Sequence, residues 1–192
     1  MIISITDILP YLSGENYPSL SARDLQLIKS LIKEVSGIIE NYINSPLEEK
    51  TIVEYQSGYG TYEVYTNHII KSISEIRVDP ALVFSDDTIL ESSSYIVDYN
   101  INTIIRIDGL KFPNKDRSIK ITYLSGWTKD DLPIDIKFVL CDVTAKLFDS
   151  LRKKSTDLST QAGLGTSITY KKERVLLEHH KMILDSYKIP AI

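Results

Sequence analysis

The hydrophobic residues of this chain change period twice, and that change limits its folds more than any other feature. Leu25, Ile28, Leu31, Ile32, Val35, Ile38, Ile39 and Tyr42 recur at three- and four-residue spacing, which is one face of an α-helix. Between about residues 47 and 124, apolar and polar residues alternate instead, as in Thr51-Ile-Val-Glu-Tyr and Ile119-Lys-Ile-Thr-Tyr. That is the period of half-buried strands. Helical spacing then returns through Ile136, Leu140, Val143, Leu147 and Leu151, with Phe148 beside the stripe. The pattern predicts an α+β fold. Long helices fall near 22–43 and 134–153, a C-terminal helix spans 173–187, and an antiparallel β region is inserted between the long helices. Residues 1–192 read as a single domain with a β-rich insertion at about 47–124.

Local signals sharpen these boundaries. Ser4 or Thr6 caps a short N-terminal helix or turn, and Ser21 with Asp24 makes a capping-box start. Asn44 and Pro46 end the first long helix. Six strand candidates follow, and the glycine-bearing Gln56-Ser-Gly-Tyr-Gly-Thr61 reads as the hairpin connection between the first two. They suggest a small antiparallel sheet or partial barrel. Gly126 closes the last strand, Asp130-Asp131 places negative charge where a helix begins, and Pro133 fits a first helical turn. Asp142–Lys146 and Asp149–Lys153 are i,i+4 pairs in the favourable order. Ser155 to Gly165 reads as a long polar loop, mobile until assembly orders it, and Thr166 to Tyr170 as a short β-like segment.

Chemistry-bearing motifs are absent from the sequence. The Gly-x-Gly pieces at Gly58 and Gly163 do not join a strand to a helix as phosphate loops do. His68 has no ligand at metal spacing, and His179-His180 are adjacent, so their side chains diverge on a helix. Cys141 stands alone within Phe138-Val-Leu-Cys, as a small core residue. Neither a catalytic set nor a cofactor or metal site follows from these residues, and the chain reads as no enzyme. The N-terminus lacks the charged and apolar regions of a signal peptide, and no apolar run reaches membrane length. The expected place of synthesis and assembly is the cytoplasm.

Composition points instead to assembly. Twelve tyrosines accompany four phenylalanines and one tryptophan, and tyrosine is enriched at protein interfaces. Residues 1–145 hold 13 basic and 21 acidic side chains, whereas residues 146–192 hold 9 basic and 5 acidic. Such polarity suits head-to-tail packing of identical subunits. The net charge of −4 argues against a dedicated nucleic-acid binder. Tyr170, Leu176, Ile183 and Tyr187 are the expected interface residues, as apolar and aromatic anchors on the C-terminal segment. On the residues alone, a non-enzymatic nucleic-acid or regulatory module stays open beside a subunit of a larger assembly.

Several short motifs occur together and in order. They are Ile5-Thr6 with Tyr11-Leu12, Ile39-Glu-Asn-Tyr42, Ile121-Thr-Tyr-Leu-Ser-Gly-Trp127, Pro133-Ile-Asp-Ile136, Ser167-Ile-Thr-Tyr170 and Leu184-Asp-Ser-Tyr187. This series resembles the head–tail connector, or head-completion adaptor, proteins of tailed bacteriophages, over nearly the whole chain. The stretch from about 47 to 118 is longer than in compact members. The resemblance implies a structural virion protein of the neck, between capsid and tail, with another small tail-completion or virion structural protein as the alternative. It implies a dodecameric ring under the portal protein that extends the DNA channel after packaging and docks a tail or stopper protein. DNA would pass without specific binding, because the overall acidic charge offers phosphates little to hold.

Overall fold

Two serines open helices in closely similar ways. The Ser4 backbone N–H and its Oγ both donate to Asp7 Oδ2, at 2.8 and 2.6 Å, starting α1 (Ile5–Ile8) and the 3₁₀ turn Leu9–Tyr11. Asp24 N–H donates to Ser21 Oγ at 3.2 Å, and Ser21 N–H donates back to Asp24 Oδ2 at 3.1 Å. This reciprocal box satisfies two donors that the helix itself leaves unpaired. α2 (Ala22–Ile43) follows and ends at Asn44, whose φ of 55° is the left-handed turn of a helix terminus. The computed structural model describes residues 2–12, 20–160 and 175–189.

The remaining helices are α3 (Ile134–Thr160) and α4 (Glu178–Leu184), the latter continued by a 3₁₀ turn, Asp185–Tyr187. With α1 and α2 they form one compact unit, Met1–Ile43 with Lys129–Lys188. Ile28, Ile32, Val35 and Ile39 of α2 and Ile136, Leu140, Val143 and Phe148 of α3 are buried, and α4 packs on both helices. Each such side chain contributes about 1.5–3 kcal/mol through burial.

Three expectations need correction here. The loop expected from Ser155 is helical through Thr160; residues 161–165 lie outside the described residues, as does the Thr166–Tyr170 segment. Ser and Thr each cost a helix only about 0.5 kcal/mol, and the first glycine or proline after Pro133 is Gly163, so nothing before 160 forces a stop. The closing helix begins at Glu178 rather than 173, because Leu177 serves as its N-cap. Pro133 precedes α3 as its cap: Lys137 N–H donates to the Pro133 carbonyl at 3.0 Å. Asp130 and Asp131 lie in the turn before it.

The second unit, Asn44–Thr128 with the last four residues, is built of strands. They are β1 (Lys50–Gln56), β2 (Glu63–Tyr65), β3 (Ser72–Val78), β4 (Tyr95–Asp98), β5 (Thr103–Arg106) and β6 (Ile119–Ser125). They form two three-stranded antiparallel sheets, ordered β1-β6-β3 and β2-β5-β4. The expected β1–β2 hairpin does not exist, and neither does a barrel. β1 pairs with β6, Glu54 opposite Ile121, while β2 belongs to the other sheet. Gly58 permits the divergence. A side chain there would meet the Pro113 carbonyl oxygen at 2.4 Å and Phe112 Cβ at 2.7 Å, so only glycine lets the chain lie against 112–113, where it runs instead of turning back on β1.

Both sheets share one interior. Val64 and Ile104 from one pack with Ile76, Ile119, Ile121 and Tyr123 from the other, together with Ile70 and Phe112. β6 is central in its sheet and alternates strictly, with Ile119, Ile121, Tyr123 and Ser125 inward. The ends of the insertion are tied: Trp127 N–H donates to the Leu47 carbonyl at 3.0 Å, and Glu49 N–H to that of Trp127 at 3.1 Å. Gly126 permits this closure. Its φ is +87°, and a Cβ would lie 2.5 Å from the Glu48 carbonyl oxygen.

Candidate interaction surfaces

The C-terminal segment carries the residues expected to meet partners, and most of those described face inward. Leu176 is only 7 % exposed, and Ile183 and Tyr187 are half-buried. Tyr170 lies outside the described residues. The segment instead presents Leu177 and Met182, the latter 75 % exposed. Met182 falls between the stripe positions 176, 180, 183 and 187, so a search for one apolar line passes over it.

α4 is fixed by polar contacts within its own unit. Leu177 N–H donates to His180 Nδ1 at 3.2 Å, which makes Nδ1 the acceptor and leaves Nε2–H to donate to Asp142 Oδ2 at 2.8 Å. His180 thus takes the reach-back role that Glu or Gln plays in a capping box. Lys146 Nζ donates to the same oxygen at 2.7 Å. Burial holds the imidazole pKa below its ordinary value, against the opposing pull of Asp142. Tyr42 OH donates to Asp185 Oδ1 at 2.6 Å, which pushes its pKa up to about 12, and Lys188 Nζ lies 4.9 Å from the Tyr42 ring centroid.

The expected divergence of His179 and His180 is not observed. Their ring centroids are 4.0 Å apart, and among the described residues they and Asp142 form the one group whose ligand atoms lie close enough for a metal, within 4.8 Å. Both nitrogens of His180 are already engaged, and an ammonium occupies the shared carboxylate oxygen. A cation would have to break the cap of α4 and displace Lys146, so the cluster reads as a hydrogen-bonded staple. Cys141 is fully buried, and burial pushes its thiol up to about 11, far from the thiolate that reaction requires.

Apolar and aromatic groups are displayed elsewhere. In the helical unit, Ile134 is 80 % exposed, and Tyr11 and Phe138 pair at 6.0 Å between centroids beside it. Ile134 and Phe138 are four residues apart and share a helix face. In the sheet unit, Tyr55, Tyr59, Tyr62, Tyr65 and Tyr99 are all exposed. Tyr55 meets Phe84 edge-on at 5.5 Å, and Arg117 lies 5.4 Å from its ring. Five of these tyrosines therefore add little to the sheet core.

A third surface is the projection after β3. The Asp79 carboxylate accepts N–H groups from Ala81, Val83 and Phe84 at 2.7, 2.8 and 2.8 Å. Those contacts hold its pKa below the ordinary value, Phe84 contributing most. Arg77 donates through Nη1 to the Phe84 carbonyl at 2.5 Å and through Nε to Glu75 at 2.6 Å. Leu82 and Phe84 are thereby held at φ of 64° and 56°, a conformation that costs a non-glycine residue about 1–2 kcal/mol. Leu82 and Val83 are nonetheless exposed, Val83 at 74 %.

A family model described as head completion protein matches residues 1–189. No curated protein sequence matches the chain. Among the solved chains that resemble it in fold are three from gene transfer agent particles. One, from the neck of a native GTA particle computed with C12 symmetry, is 12% identical, with 90% of this chain and 85% of that chain covered at a TM-score of 0.51. Another, from the virion of a native gene transfer agent particle, is 13% identical, with 95% and 86% covered at 0.53. A third, from the neck of an empty GTA particle computed with C6 symmetry, is 13% identical, with 94% and 85% covered at 0.53. Among the described residues, no helix is long and apolar enough to cross a membrane.

Proposed function

This chain belongs to the head completion protein family, and from that membership we propose that it is a structural, non-enzymatic subunit of the virion neck. The family match over residues 1–189 carries the reading. Copies assemble as a ring, dodecameric in the simplest case, between the portal protein and a tail or stopper protein, and extend the DNA channel after packaging. Residues 1–192 act in this ring as one connector domain, with the β-rich part as an insertion. The exposed tyrosines and the apolar groups of both units supply the kind of contact area that subunit packing uses. Ring closure needs two different patches on each subunit, and the separation of acidic body from basic C-terminal part supports such polarity. An acidic channel wall lets DNA slide, because phosphate binding depends on Lys and Arg. Leu176, Ile183, Tyr187 and Tyr170 remain proposed contributors to contacts with the portal or neighbouring subunits, alongside Met182.

The test is particle assembly without the protein. Heads made in its absence should package DNA, fail to retain it and fail to join tails, and purified protein added back should restore both steps. Stable, infectious particles formed without it would overturn the proposal.

A further inference from the structure

The net charge of −4 hides a local excess of the opposite sign. Two stretches of the sheet unit, 55–62 and 109–120, together carry four basic side chains, one acidic side chain and three tyrosines. Tyr55, Tyr59 and Tyr62 are exposed, as are Lys111, Lys115 and Arg117, and Lys120 is half-buried. Phe112 N–H donates to the Thr61 carbonyl at 2.8 Å and Arg117 N–H to Ser57 Oγ at 3.1 Å, so the two stretches present one surface. Lys120 joins it from β6, where it lies opposite Tyr55 of β1.

These four cations lack carboxylate partners. Elsewhere in the unit, Lys71 pairs with Glu49, Arg77 with Glu75 and Arg106 with Asp108. Among the described residues, Lys111, Lys115, Arg117 and Lys120 make no ion pair. The acids nearby are engaged: Asp116 accepts from Ser57 Oγ at 3.4 Å, Glu75 is held by Arg77, and Asp79 by its three backbone N–H groups. Rings stand where carboxylates would. Lys111 Nζ lies 5.4 Å from the Tyr62 centroid and Arg117 Cζ 5.4 Å from that of Tyr55, which positions each cation without neutralising it. Tyr59 and Arg117 sit at φ of 49° and 55°, a backbone cost that brings neither side chain any burial. We propose that this surface holds the phosphate backbone of duplex DNA, with the four cations on phosphates and the tyrosine hydroxyls donating to phosphate oxygens. Such contacts read no sequence, so DNA is held without being selected, and the acidic remainder of the chain keeps the hold local. The proposal rests on the neck reading above, in which packaged DNA is the polyanion that the subunit meets.

Fluorescence anisotropy of a labelled duplex of mixed sequence, titrated with the full chain, tests it. Affinity should fall about a hundredfold between about 50 and 200 mM salt, the response of four neutralised phosphates. Lys111→Gln combined with Lys120→Gln should reduce that fall to about tenfold. Lys29→Gln combined with Lys33→Gln removes the same charge from exposed positions of α2 and should leave the fall unchanged. No binding at about 50 mM salt, or a salt response that the two pairs alter alike, overturns the surface, while rings in micrographs keep the neck reading standing. DNA bound through Lys111 and Lys120 by a chain that never forms rings upholds the surface and overturns the ring. Polyglutamate that displaces the duplex as well as unlabelled duplex does, at equal charge, assigns the surface to an acidic protein segment and overturns the proposal.

Discussion

The helical unit and the sheet unit fill their interiors differently. Among the described residues, the buried side chains of the helical unit are aliphatic or aromatic apart from Cys141, Thr144 and His180. The sheet unit buries Ser45, Glu54, Thr66, Asp79, Thr103, Ser118 and Ser125. Helices satisfy their own backbone, so their packed faces can be apolar throughout. The short strands are joined by irregular segments whose N–H and C=O groups need partners. Glu54 accepts Asn67 N–H at 3.1 Å and Tyr123 OH at 2.5 Å. Ser45 Oγ accepts Ile69 N–H at 3.2 Å, and Asn102 Oδ1 accepts Ile70 N–H at 2.9 Å. One unit depends on volume, the other on a set of directed contacts.

Substitutions can separate the two. The single tryptophan, Trp127, belongs to the sheet unit and reports on it by fluorescence, whereas ellipticity at the helix band reports mainly on α2 and α3. Ile32→Ala, at a fully buried position of α2, should cost about 4 kcal/mol and lower the ellipticity midpoint more than the Trp127 midpoint. An equal fall in both would show that the units do not unfold separately, and would break the comparison. Gly126→Ala drives a Cβ into the Glu48 backbone. It should cost about 3 kcal/mol, with the Trp127 transition moving first in denaturant titrations. Tyr123→Phe keeps the volume and removes one donor from Glu54. We expect a loss of about 2 kcal/mol, and a neutral result would mean that volume governs the sheet unit as well.

His180→Asn tests the polar exception in the helical unit, at a cost of about 1 kcal/mol at pH 7.5. Its pH dependence has a definite sign. The folded-state pKa lies below the ordinary 6.5, so the unfolded chain binds more protons in between. Stability from this group is full above 6.5 and is lost as pH falls through the folded value. Thermal melts of the native protein should therefore drop in that window more than those of the variant; parallel profiles would contradict the assignment. Smallest of all, Ile134→Ser should change stability by less than about 0.5 kcal/mol, since Ile134 is 80 % exposed. A large loss on melting would show that this side chain belongs to the subunit's own fold.

The same contrast decides how much the sequence discloses. α2 announces itself, because its stripe, its Ser21–Asp24 box and its Asn44 stop all lie within the segment they specify. β1 and β6 are legible as strands, yet their pairing joins residues 50–56 to 119–125, and adjacency favours the wrong partner, β2. Gly58 permits the path actually taken, by letting the backbone approach Phe112 and Pro113, a contact that no local pattern contains. The overrun of α3 through Thr160 had no breaker to mark it and none to prevent it. The role of His180 was hidden for a related reason, since Asp142 lies 38 positions away. Exposed residues are the hardest to foresee: Met182 and Val83 carry no periodicity, and only the folded chain shows them uncovered.

The proposed function requires ring assembly. Electron micrographs of the purified protein, alone at high concentration and bound to portal-bearing heads prepared without it, test that claim most directly. Closed rings of one size are expected in both samples, with rotational averaging giving a single cyclic symmetry. Monomers in both samples, or open filaments with no closed form, would contradict it.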